Sequence, residues 1–71
     1  MERQPVESSN IASIGYDVQL SILEIEFNGS GEVWQYPDFP DNMFEELMAS
    51  DSKGKYFHKN IRGKYHEFRV G

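Results

Sequence analysis

Five basic residues lie close together near the end of the chain, and aromatic residues are interleaved with them. The basic residues are Lys53, Lys55, Lys59, Arg62 and Lys64. Cations at this density bind phosphate, and rings such as Tyr56 and Tyr65 can stack on nucleobases. A helix starting at Ser52 would add backbone N–H groups that favour an anion. These residues form the candidate nucleic-acid-binding site. The alternative is that the lysines pair with Glu45, Glu46 and Asp51, while Tyr56 or Phe57 packs in the core.

Charge is strongly segregated along the chain, whose net charge is −5. Residues 1–52 hold eleven acidic groups and one basic group, whereas residues 53–71 hold six basic groups and one acidic group. Such asymmetry indicates either an anionic partner for the basic segment or internal pairing. Because the whole chain is acidic, we expect any RNA or other polyanion to bind locally and in a salt-sensitive way.

No enzymatic or metal-binding signature is complete. Gly54-Lys55 resembles part of a phosphate-binding loop, but Ala49 and Tyr56 occupy positions where that motif needs Gly and Ser or Thr. His58 and His66 match no common metal spacing, and there is no cysteine. The many carboxylates, such as Glu24, are expected on solvated faces. The sequence therefore predicts no catalytic residue, no metal and no cofactor.

Length and composition predict one domain over residues 1–71, with residues 1–5 as a frayed tail. No apolar run approaches the ~20 residues of a membrane span, and the N-terminus does not resemble a signal peptide. The absence of cysteine fits a reducing compartment. We therefore expect a cytoplasmic protein with no membrane association. Its oligomeric state is left open.

Three strands are predicted before the first helix, over residues 10–16, 20–27 and 32–36. The alternation of Leu23, Ile25 and Phe27 with polar residues indicates a strand with one solvent-exposed face. The loop Asn28-Gly29-Ser30-Gly31 suits a hairpin. A two- or four-residue loop places Trp34 and Tyr36 on the core face, whereas a three-residue loop exposes both rings. We favour the register in which Trp34 and Tyr36 face the core, because the other register would place Gln35 there and Gln35 is a poor core residue. Gly15 is interpreted as a bulge or a point of close approach.

Two helices and a last strand complete the prediction. The first helix opens at Pro40 and ends near Ser50, and the second begins at Ser52 and runs through Asn60. Residues 65–70 are predicted as a strand with Phe68 and Val70 facing inward. The expected fold is α+β: a small antiparallel sheet, made of a three-stranded meander plus a C-terminal strand, with two short helices on one face.

Several segments together resemble the KTSC domain family over about residues 6–70. These segments are Ser9-Asn10-Ile11, Gly15-Tyr16-Asp17, residues 23–27, Trp34 with Tyr36, residues 52–57 and Asn60-Ile61-Arg62. Trp34 stands where the family has the first Tyr of a central Tyr-x-Tyr. The family occurs at the C-terminus of some lysyl-tRNA synthetases and as small bacterial and phage proteins. The resemblance implies RNA binding through that association, and it implies no catalytic residues.

The sequence thus supports two functions of different classes. The first is a nucleic-acid-binding accessory module that uses the basic segment. The second is a protein-interaction module that docks through a sheet edge or through an aromatic patch containing Trp34 and Tyr36. Burial of those two rings, together with one continuous basic face, would favour the first.

Overall fold

The computed structural model describes all 71 residues, Met1–Gly71. It contains one antiparallel five-stranded sheet in the order β1-β2-β3-β4-β5 and two helices between β4 and β5. The strands are β1 (Gln4–Pro5), β2 (Ile11–Asp17), β3 (Ile22–Phe27), β4 (Val33–Tyr36) and β5 (Phe68–Arg69). The helices are α1 (Asp41–Ala49) and α2 (Lys53–Asn60). The α+β prediction is confirmed, with one strand more than expected.

The β3–β4 hairpin has the predicted register. Phe27 and Glu32 close a four-residue loop, in which Gly29 and Gly31 adopt φ values of 83° and 71°. Leu23 therefore lies opposite Tyr36, and Ile25 lies opposite Trp34. Since side chains alternate along a strand, these four share the core face of the sheet.

The core lies between this face of the sheet and the two helices. Nine hydrophobic residues are buried: Ile11, Ile14, Leu23, Ile25, Tyr36, Phe39, Leu47, Phe57 and Ile61. Leu47 comes from α1, and Phe57 comes from α2. Phe39 lies between Asp38 and Pro40 in the connection from β4 to α1, yet it is fully buried. Its carbonyl accepts a 2.5 Å hydrogen bond from the Tyr16 hydroxyl, and the two rings meet edge to face.

The last strand differs from its prediction. β5 has two residues, and Phe68 lies opposite Gln35 while Arg69 lies opposite Trp34. Phe68 therefore points to the face away from the helices, and 58% of it is exposed. Val70 is 53% exposed. The expectation that both face inward was wrong.

The N-terminal segment is paired rather than frayed at Gln4–Pro5, which lie opposite Ile14 and Ser13. Gly15 makes this possible, because a Cβ there would collide with the backbone oxygen of Glu2. Gly15 is thus the point of close approach that was one of its two interpretations.

Arg3 reaches from this segment across the outer face of the sheet. Its guanidinium pairs with Glu24 and donates to Ser13 at 2.9 Å, and Gln35 donates to Glu24 at 2.7 Å. Glu24 was expected on a solvated face, but it is only 5% exposed because Arg3 covers it. Burial raises the pKa of the Glu24 carboxyl, but the hydrogen bonds from Gln35 and Arg3 and the Arg3 charge outweigh burial, so that its pKa lies below the ordinary value.

Candidate nucleic-acid interface

Helix α2 carries most of the candidate basic residues, and its local sequence explains where it starts and which face it buries. The Ser52 hydroxyl accepts a hydrogen bond from the Lys55 backbone N–H at 3.3 Å, which is an N-cap. Phe57 and Ile61, four residues apart, are buried. Positions three and four apart share a helix face, so this spacing sets which side turns to solvent.

Three exposed basic residues lie on α2 and just beyond its end. Lys55 and Lys59 are exposed one turn apart on α2, and Arg62 is exposed two residues beyond the end of the helix. We call these three residues the basic stripe. The structure contains two ion pairs, Arg3–Glu24 and Arg69–Glu32. No carboxylate lies within 4.0 Å of a basic-stripe nitrogen. The alternative, in which these cations are neutralised by Glu45, Glu46 and Asp51, is therefore not realised.

The other two candidate cations lie apart from the basic stripe. Lys53 Nζ is 3.4 Å from the Ser50 carbonyl oxygen, at the end of α1. Lys64 follows α2 in the loop before β5 and lines a shallow cleft together with Asp38. The five predicted cations therefore do not form one continuous face.

Both candidate tyrosines are engaged within the protein. The Tyr56 hydroxyl donates to Glu46 at 2.8 Å, and desolvation together with that carboxylate raises its pKa to about 12. The Tyr65 hydroxyl lies 2.8 Å from Met43 Sδ, and its ring centroid is 5.0 Å from that of Phe39. Both side chains are partly buried. Through these contacts Tyr56 connects α2 to α1, and Tyr65 connects the loop after α2 to α1.

A polar cleft of about 440 Å³ lies beside the basic stripe, and we call it the α2 cleft. Its lining includes Asn10, Phe27, Asn28, Gly54, Phe57, His58 and Arg62. The Asn28 backbone N–H donates to the Asn10 carbonyl at 2.9 Å, which joins the start of β2 to the β3–β4 loop. A Cβ on Gly54 would lie 3.3 Å from the Asn10 side-chain nitrogen, so this glycine lets α2 approach closely. Sequence reasoning missed Asn10 and Asn28 as site residues, because only the fold brings them to α2.

The central aromatic pair belongs mainly to the core. Tyr36 is 1% exposed, and burial followed by the nearby Glu67 carboxylate raises its pKa well above the ordinary value. Trp34 is half-buried against the core, and its indole N–H donates to Glu32 at 3.0 Å. Trp34 and Tyr36 therefore do not form the exposed aromatic patch of the protein-interaction hypothesis.

No helix is long and apolar enough to span a bilayer. No group of three or more His, Cys, Asp or Glu side chains is placed to hold a metal ion.

Comparison with known proteins identifies the family. The KTSC domain model matches residues 7–65. An uncharacterised protein of Stutzerimonas stutzeri is 32% identical over 68 residues, which cover 96% of this chain and 94% of that protein. A lysine–tRNA ligase of Trichormus variabilis is 42% identical over 59 residues, which cover 83% of this chain and 10% of the ligase.

A solved structure agrees with this assignment over almost the full length. The crystal structure of a KTSC domain protein from Yersinia pestis superposes with a TM-score of 0.94 and is 41% identical. The match covers 99% of this chain and 97% of that one. The chain therefore belongs to the KTSC domain family.

Proposed function

We propose that this KTSC domain is a nucleic-acid-binding accessory module, with RNA as its ligand, and that it performs no catalysis itself. The observation that carries the proposal is the basic stripe: Lys55, Lys59 and Arg62 are exposed on α2 and just beyond its end, and none of them has a carboxylate partner. An uncompensated row of cations attracts a phosphate backbone even when the whole chain is acidic.

The relatives give independent support. Lysine–tRNA ligases, whose name specifies an RNA substrate, carry a segment 39–42% identical to most of this chain. That segment is a tenth of their length. A small module that adds phosphate contacts beside a larger RNA-binding enzyme fits this arrangement, and a cytoplasmic setting follows from the same proposal.

The test is a titration with short fluorescent RNAs at 50 and 200 mM salt. Three phosphate contacts on a single strand give a logarithmic salt slope of about −2, so affinity should fall about 20-fold between these concentrations. Lys55→Glu with Arg62→Glu should abolish most binding. Lys53→Glu with Lys64→Glu changes the net charge equally outside the basic stripe and serves as the matched control.

Two outcomes would refute the proposal. One is no binding at 50 mM salt. The other is an equal loss of RNA affinity in the two double variants, because the affinity would then depend on net charge rather than on the residues of the basic stripe.

A second function, protein docking at a sheet edge, is favoured by one observation. The edge strand β5 carries Phe68 and is followed by Val70, and both are more than half exposed. An open edge next to apolar side chains is suited to pairing with another strand. Sedimentation of the wild type and of Phe68→Lys tests whether a second copy of the chain is the partner. A monomer at high concentration in both would exclude self-association.

A further inference from the structure

The α2 cleft contains several polar groups that the fold itself does not use. The Asn10 side-chain amide, the His58 ring and the Arg62 guanidinium take part in no intramolecular side-chain hydrogen bond or ion pair. The Asn28 side-chain nitrogen donates to the Ser8 and Ser9 carbonyls, which leaves its oxygen free as an acceptor. Four unused polar groups thus surround one concave volume.

Charge divides this region into two parts. A second cleft of about 210 Å³ shares Phe27, Phe57 and Arg62 with the first, and it adds Glu32 and Glu67. No acidic residue lines the α2 cleft. Arg62 lines both clefts. A phosphate paired with Arg62 would be repelled by Glu32 and Glu67 in the second cleft, but it would meet no carboxylate in the α2 cleft.

The α2 cleft combines the Arg62 guanidinium, a group that can pair with phosphate, with two neutral amides and an aromatic floor. The floor is formed by Phe27 and Phe57, whose ring centroids are 5.4 Å apart. Amide groups present both donors and acceptors, which match the hydrogen-bonding edges of nucleobases. We propose that the α2 cleft binds one unpaired nucleotide, with its phosphate on Arg62 and its base edge toward Asn10 and Asn28.

This inference rests on the proposed RNA-binding function and makes it more specific, since it identifies the ligand as single-stranded. A base in a duplex is stacked and paired, and it cannot turn its edge into a cleft of this size. The basic stripe alone would accept either form, because it contacts only phosphate. A difference in affinity between single-stranded and duplex RNA would therefore indicate that the α2 cleft takes part in binding.

The experiment is an NMR titration of the ¹⁵N-labelled protein with a single-stranded hexanucleotide RNA and with a duplex of the same sequence. Asn10→Ala removes a side-chain amide that holds no structural bond. Gln19→Ala is the matched control, since Gln19 is also an exposed amide with no side-chain bond and lies outside the cleft. Neither change alters the net charge.

Single-stranded RNA should bind at least about fivefold more tightly than the duplex and shift the Gly29 and Gly54 amide signals. Asn10→Ala should weaken that binding about fivefold, as expected for one lost hydrogen bond, and Gln19→Ala should not. Equal binding of both RNA forms, or no effect of Asn10→Ala, would overturn the cleft assignment and leave the basic stripe as the site. Absence of all RNA binding at low salt would instead overturn the proposed function, and the cleft assignment with it.

Discussion

Replacement of Arg3 by Met should destabilise the domain far more than its place near the terminus indicates. Arg3 is the charged partner of Glu24, whose side chain is 7% exposed, and methionine keeps the apolar stem while removing the charge. Breaking a buried ion pair by removing one partner costs about 3 to 5 kcal/mol. The Arg3 side chain is 28% exposed, so water can partly replace it. We therefore expect a loss of about 3 kcal/mol, a large share of the ~5 kcal/mol available to so small a domain.

The assay is urea unfolding at pH 7 and pH 3, with Arg69→Met as the matched control. Arg69 forms the other ion pair of the sheet, with Glu32, but it is 58% exposed and 3.7 Å away. An exposed pair contributes about 0 to 1 kcal/mol, so the control should lose little.

The pH dependence has a definite sign. The pKa of Glu24 is lowered in the folded protein, so its contribution is present above the unfolded pKa and is lost as pH falls through the folded value. Without Arg3, burial is opposed by the Gln35 hydrogen bond and by the N-terminal charge, and the pKa of Glu24 rises relative to the wild type. The difference in unfolding free energy between wild type and Arg3→Met should therefore shrink as the pH is lowered from 7 to 3, because protonation of Glu24 removes the charge that Arg3 compensates. The reasoning would be refuted if Arg3→Met and Arg69→Met lost equal free energy of unfolding. It would also be refuted if the difference in this free energy between wild type and Arg3→Met did not change with pH.

Two further predictions concern packing. Phe39→Ala should lower the free energy of unfolding in urea by about 3 to 5 kcal/mol, because it opens a cavity in the core. Phe68→Ala should change it by less than ~0.5 kcal/mol, because Phe68 is exposed. Similar losses in the two variants would contradict the assigned burial. Gly15→Val should displace the backbone at Glu2 and detach β1, seen as faster hydrogen exchange of the Ile14 and Gln4 amides. Unchanged exchange would show that the close approach at Gly15 is not required.

The sequence by itself determined the local features of this protein. Alternation of Leu23, Ile25 and Phe27 identified the central strand, and the polarity of Gln35 favoured the register that places Trp34 and Tyr36 over the core. Ser52 marked the start of α2 correctly. These features depend on residues close together in the chain, where the period of a strand and the geometry of a cap leave few alternatives.

The tertiary structure alone decided which distant residues meet. The alternation of side chains along a strand required that Phe68 and Val70 lie on the same side of the sheet. It did not determine which side, because β5 follows a helix and no tight turn sets its register. Phe39 stands between turn-forming residues, and only the packing of Tyr16 and Tyr65 around it shows that it is core. The α2 cleft likewise unites Asn10, Asn28 and Arg62 from three separate segments. Local sequence carries no record of such contacts, because they depend on how the helices dock on the sheet.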